Sequence, residues 1–151
     1  MLSPSLTNWR AQYGRMVRGY ERLLTPYISS VEYNDDLQHF FQDCWHLKDW
    51  IKNDPQAGAA RDAIEATVGA CKPLCIVADL ANACKHLDRV KSREGAYVTS
   101  AGVTVHLAQA KGIDLHYIVT LGDGSTLSAQ DLVKDVFAAW HEVLGKLGLS
   151  P

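Results

Sequence analysis

The sequence predicts a mainly α fold: an antiparallel bundle of four main helices plus a short one, with a β-hairpin inserted before the last helix at about residues 97–127. Three observations carry this expectation. Apolar residues recur at steps of three and four through most of the chain, the period changes to alternation across residues 103–121, and proline or glycine punctuates the joints.

The first helix opens at Ser3-Pro4-Ser5, a cap followed by proline, and carries Leu6, Trp9, Tyr13, Met16, Tyr20 and Leu23 on its apolar stripe. Pro26 ends it near Thr25 and leaves Tyr27 just outside. Asn34, followed by Asp35 and Asp36, reads as the cap of a second helix running to about Asn53, with Leu37, Phe40, Phe41, Cys44, Leu47 and Ile51 as its core stripe. Asp54-Pro55 stops it. A shorter helix from about Ala57 to Ala70 buries Ile64 and Val68. Pro73 sits in the first turn of the next long helix, which reads through Leu74, Val77, Ala78, Ala81 and Cys84 to about Val90.

Val103, Val105 and Leu107, then Leu115, Tyr117, Val119 and Leu121, alternate with polar or opposite-facing residues around a turn at Lys111-Gly112-Ile113-Asp114. Asp123-Gly124 marks a tight turn into a short third strand at Ser125 to Leu127. Ser128 and Asp131 resemble a capping box and open the last helix, which runs through Leu132, Val136, Phe137, Trp140, Val143, Leu144 and Leu147 and ends at Gly145 and Gly148.

A chain of 151 residues suits one domain, and its 47% hydrophobic and 21% charged residues exclude a disordered or low-complexity chain. No run approaches the ~18 apolar residues of a membrane span. The net charge of −2 supplies no global attraction for nucleic acid or membrane, but charge is uneven along the chain. Residues 1–30 carry +3, residues 31–54 carry −4 and residues 80–95 carry +2. These runs read as solvated helix faces or as a basic strip flanking a site near residue 86. Four cysteines, Cys44, Cys71, Cys75 and Cys84, lie in apolar helical segments without Cys-x-x-Cys spacing, and the first residues lack a signal-peptide pattern. The expected setting is a reducing cytoplasm.

Polar side chains inside two apolar helices are the informative anomaly. Asp79, Asn82 and His86 share one stripe, with Lys85 beside it, and His39, Asp43, His46 and Trp50 share another. Unpartnered burial costs about 1–3 kcal/mol per group. The stripes therefore face each other across a cleft, face a partner or water, or cross-link helices. For His39, His106, His116 and His141 the structural role is the expectation.

The run Asp79-Leu80-Ala81-Asn82-Ala83-Cys84-Lys85-His86 resembles the HEPN superfamily, small helical bundles of toxin–antitoxin and phage-defence systems. Their motif is Arg, a polar residue, and His four to six residues after the Arg. Here Asn82 takes the polar place and His86 that of the histidine, while Ala81 stands in the Arg slot. The resemblance implies a bacterial, commonly dimeric RNA-binding protein, either a metal-independent endoribonuclease or one whose catalysis has degenerated. It makes His86 the general acid or base and Asn82 the group that positions phosphate or imidazole. Lys85 and Arg89 would neutralise phosphate, with Asp79, His46 and Trp50 lining the substrate side. Asp88 stands where the family often has tyrosine. Trp45 to Trp50 and Ala81 to His86 also look like sequences of uncharacterised bacterial proteins.

No cofactor and no metal are expected: Asp43-x-x-His46 lacks the inward Glu and Glu-x-x-His sets of bundle metal sites. There is no Gly-x-Ser-x-Gly elbow and no phosphate-binding glycine loop. The alternative function is a non-enzymatic protein-interaction or small-ligand-binding domain, with the hairpin as its docking edge.

Overall fold

The computed structural model describes residues 7–27, 29–85, 97–105 and 113–151, with residues 83–85, 97–105 and 113–116 described by their backbone. The predicted mainly helical fold is what the chain adopts, with the sheet ahead of the last helix. Helices α1 (Trp9–Leu23), α2 (Ser30–Asn53), α3 (Ala60–Gly69) and α4 (Lys72–Lys85) come first. Strands β1 (Tyr97–Val105), β2 (Ile113–Thr120) and β3 (Thr126–Ser128) and helix α5 (Ala129–Lys146) follow.

Helix α2 is the hub, packed against α1, α3 and α4, while α5 lies against α4 and against β2 and β3. The stripe expected of α2 is buried in full, from Leu37 through Phe40, Phe41, Cys44 and Leu47 to Ile51. Burial pushes the Cys44 thiol well above its ordinary pKa, with the Asp43 charge adding to the effect, so it is an inert core residue.

Several element ends differ from the sequence reading. Helix α1 starts one residue after Asn8, whose Oδ1 accepts from the Ala11 amide at 2.9 Å, rather than at Ser3-Pro4-Ser5, which lie outside the described residues. Its core stripe is Trp9, Gln12, Met16, Gly19 and Leu23, with Tyr13 and Tyr20 half-buried beside it. Helix α2 begins a turn earlier than Asn34, capped by Ser29, whose Oγ accepts from the Glu32 amide at 3.4 Å. Tertiary packing accounts for the extra turn. Tyr33 is buried within it and stacks on Tyr117 of β2 at 5.3 Å. Its phenol is pushed up to about 12 by burial and by Tyr117, against a Gln130 hydrogen bond that pulls it down.

The short helix is split. A 3-10 turn at Pro55–Ala57 is separated from α3 by Gly58, whose φ of +56° a residue with a Cβ rarely adopts. Ile64 and Val68 are buried as expected. Helix α4 is described as far as Lys85, and the predicted extension to Val90 lies outside the described residues, as do Leu107 and the turn residues Lys111 and Gly112.

The sheet is antiparallel in the order β1-β2-β3, with a register shift between Val98 and Ser100. Strand β1 starts well before Val103, and β3 lies one residue later than expected. Ser128 caps α5, its Oγ accepting from Gln130 and Asp131 amides at 3.1 and 3.4 Å. At the far end Gly148, at φ +66°, closes a Schellman turn in which Leu149 N–H donates to the Leu144 carbonyl at 2.9 Å. Gly145 does not end the helix but lies within it, with open space where a Cβ would project. Gly145→Ala is therefore expected to stabilise the protein by about 0.5–1 kcal/mol through helix propensity. Gly148→Ala should destabilise it, because αL geometry disfavours a Cβ. Urea midpoints of the two variants check this pair of opposite signs.

Candidate functional site

Helix α4 carries the described part of the sequence motif, Asp79 to Lys85. From Leu74 through Ala81 every residue is buried, so this helix is enclosed on all sides rather than amphipathic. Within that apolar run stands one carboxylate, Asp79, at 0% exposure and engaged with its surroundings. A buried carboxylate is costly without partners, by several kcal/mol. Asn82, three residues on, is half-buried, and Lys85 is the last described residue of the helix. The stripe thus climbs out of the core toward the end of α4. His86 and Arg89, which follow directly, lie outside the described residues.

Ala81, in the slot the resemblance gives to arginine, is 0% exposed. A guanidinium there would be a buried cation facing the core rather than a phosphate. Any cation serving this end of α4 must come from positions beyond Asn82.

The second stripe serves a different neighbour. Asp43 Oδ1 accepts from Gln12 Nε2 at 3.0 Å, and the Asp43 carbonyl accepts from the same nitrogen at 3.1 Å. Gln12, on α1, is 1% exposed and its Oε1 accepts from Arg15 Nη1 at 3.0 Å. The Arg15 guanidinium in turn lies 5.3 Å from the centroid of the Trp50 ring. One end of the α1–α2 pair is tied by Arg22 to Asp36 at 3.4 Å, with Tyr27 donating to the same carboxylate at 2.7 Å. Burial, helped by that bond and the Asp36 charge, drives the Tyr27 phenol far above its ordinary pKa.

Of the arrangements open to the second stripe, Asp43 and Trp50 show cross-linking of helices, since their described partners lie on α1. Periodicity groups residues on a face but does not say which helix that face meets. His39 is exposed, and His46 is half-buried and engaged. The opposite charges of residues 1–30 and 31–54 have the same explanation: α1 and α2 are packed together with arginines of one meeting polar and acidic groups of the other.

The rest of the Trp45–Trp50 run links α2 to α3. Buried Lys48 sits 4.6 Å from the Trp45 ring and pairs with Asp49 at 2.5 Å and with Glu65 at 3.3 Å, and Lys52 joins Glu65 at 3.3 Å. Burial resists ionisation of Glu65, but Lys48 and Lys52 outweigh it and hold the carboxyl below its usual range.

Sequence reasoning missed Gln12, Arg15 and Asp54. Asp54 Oδ2 accepts from the Trp9 amide at 2.9 Å, and Oδ1 from the Gln56 amide at 2.9 Å. One carboxylate thus caps both α1 and the 3-10 turn. A cavity of about 290 Å³ beside it is lined by Thr7, Asp49, Trp50, Asn53, Asp54 and Pro55, so Trp50 opens onto this surface. The signal for Gln12 was available: with Trp9, Met16, Gly19 and Leu23 it completes a regular three-four spacing.

His141 has the structural role expected of it. Its Nδ1 is 2.9 Å from the Phe137 carbonyl and must donate there, which leaves Nε2 of the neutral ring to accept from the Tyr13 hydroxyl at 3.1 Å. Burial raises the Tyr13 pKa. Among the described residues no three His, Cys, Asp or Glu side chains form a metal set, and no helix is long and apolar enough to cross a membrane. No protein-family model, curated protein or solved structure matches this chain.

Proposed function

We propose that this chain is a HEPN-like RNA-binding domain of a bacterial defence or toxin-type system, acting in the cytoplasm, with RNA meeting the C-terminal end of α4. The observation that carries this reading is the polar stripe of α4, which starts at fully buried Asp79, passes half-buried Asn82 and points toward the helix end. A carboxylate held inside an apolar helix is the kind of costly placement that functional sites retain. Beyond it the sequence supplies Lys85, His86 and Arg89, a local concentration of cations suited to phosphate.

In this reading Lys85 and Arg89 neutralise phosphate, Asn82 orients it, and His86 exchanges a proton with the ribose hydroxyl or the leaving oxygen. With Ala81 in the core, its slot offers no cation to stabilise charge at the scissile phosphate, so binding outlasts cleavage. His46 and Trp50, on α2, complete the substrate side in this reading, with the Trp50 ring also lying 5.3 Å from the Arg15 guanidinium.

Fluorescence anisotropy with a mixed single-stranded RNA pool and a chelator tests this. Wild-type affinity should fall with salt, and Lys85→Ala/Arg89→Ala should reduce the log–log slope by about 1.4, two phosphate contacts at about 0.7 each. His86→Ala should abolish any residual cleavage. Salt-independent binding, or a double variant that binds as the wild type does, would overturn the proposal.

A further inference from the structure

Where the end of α1 and the start of α5 meet α2, they enclose a cavity of about 170 Å³. Its lining divides by chemistry. Leu23 and Leu24 at the end of α1 and Val133 of α5 are apolar, while Tyr33 of α2 and Gln130 and Lys134 of α5 bring a phenol, an amide and an ammonium. Leu23 and Val133 are buried, but Leu24 is 55% exposed, an apolar wall that water still reaches.

The polar side suits a negative group. Tyr33 is only 3% exposed, and its phenol is hydrogen-bonded to the Gln130 side chain. Whichever of the two donates, the pair keeps N–H or O–H hydrogens for a ligand. Burial, with Tyr117 beside it, pushes the phenol up to about 12, so it holds its proton at neutral pH. Lys134, one turn along α5 from Gln130, supplies the charge. Asp131 and Asp135 neighbour it on the same helix, yet it forms no ion pair with a described residue. No carboxylate lines the cavity. The last carbonyls of α1, which would repel an anion, are taken by the Leu24 and Thr25 amides.

We propose that this cavity binds a small apolar monocarboxylate, a free molecule of the size of benzoate or hexanoate. The carboxylate meets Lys134 and the Tyr33–Gln130 pair, and the apolar body covers Leu23, Leu24 and Val133. Volume sets the size, since pockets for drug-sized ligands run to about 300–1,000 Å³ and this one is smaller. A purely polar anion would leave the apolar wall wet. This inference does not rest on the RNA reading, because no lining residue belongs to α4.

The test is titration of the full chain, followed by amide chemical shifts, with benzoate, its neutral isostere benzamide, and acetate, which lacks an apolar body. Benzoate should shift the amides of Leu24, Gln130 and Lys134 and saturate with a dissociation constant of about 1 mM, ordinary for so few atoms. Benzamide and acetate should each bind about tenfold more weakly, having lost either the charge-assisted bond or the buried body. These three arms need no variant to fold. Lys134→Gln, at an exposed position, should weaken benzoate about tenfold and leave benzamide unchanged. Benzoate that does not saturate by about 10 mM, ten times the expected constant, overturns the inference. So do equal affinities for benzoate and acetate, the mark of a surface lysine attracting any anion. Benzamide binding as tightly as benzoate, or a Lys134→Gln variant that keeps its benzoate affinity, overturns it as well.

Discussion

Trp140→Ala is expected to lower the unfolding free energy by about 3–5 kcal/mol, the range for deleting a large buried aromatic. Trp140 is 0% exposed on α5, in line with buried Val136, Val143 and Leu144, and the cavity left behind would open on the helix that holds the sheet. Its indole is a special case. Nε1 is buried and has no hydrogen-bond partner among the described residues, so the native side chain already bears an unsatisfied donor worth about 1–3 kcal/mol. Trp140→Phe gives up ring volume but removes that donor. Its net cost should therefore be about 1 kcal/mol or less, well short of the alanine variant. Urea denaturation of the three proteins separates volume from polarity, and equal losses in Phe and Ala would mean that the indole nitrogen is satisfied.

The second large effect is expected at Asp54. Its carboxylate is 9% exposed and takes amide protons from Trp9 and Gln56, each at 2.9 Å. Asp54→Ala leaves two helix-start donors without an acceptor at once, one of them buried, for a loss of about 2–4 kcal/mol. The amide at Trp9 is 45 residues away in sequence, so this bond also fastens α1 to the end of α2. Asp54→Asn keeps one carbonyl oxygen and should recover about half of the loss. Thermal unfolding gives the order wild type, Asn, Ala. An alanine variant as stable as wild type would show that water replaces the carboxylate at both amides.

Much of this fold was legible because local chemistry and long-range packing agree. The run from Leu37 to Ile51 has the helical period and is buried along its length, and Ser128 has the hydroxyl a helix start needs and supplies it. Legibility failed where burial does not follow apolarity. In α1, Gln12 and Gly19 are core positions while Tyr13 and Tyr20 lie beside them. Gln12 is tolerated because Asp43 receives its amide protons, and Gly19 is buried by its packing against the Phe40 ring. The start of α2 failed for a related reason. Asn34 and Ser29 are both good caps, and what favours Ser29 is the burial of Tyr33 against a strand far along the chain.

The candidate site divides along the same line. That Asp79 and Asn82 share a stripe follows from spacing alone, and the helix carries it. That Asp43 and Trp50 look toward α1 depends on how α1 and α2 dock, which no spacing within α2 encodes.

Under the proposed RNA-binding function, two basic regions compete as the contact surface: the arginines of α1 and the cations that follow Asn82. Several α1 arginines are already committed, Arg15 to Gln12 and Trp50 and Arg22 to Asp36. The most direct measurement is crosslinking of the full chain to a thiouridine-substituted RNA pool, with the attached peptides sequenced. Under the proposed function, crosslinks are expected at and just beyond the end of α4, in the region of residues 82–93, and are lost in high salt. Crosslinks concentrated between Arg10 and Arg22, with the α4 end untouched, would contradict it.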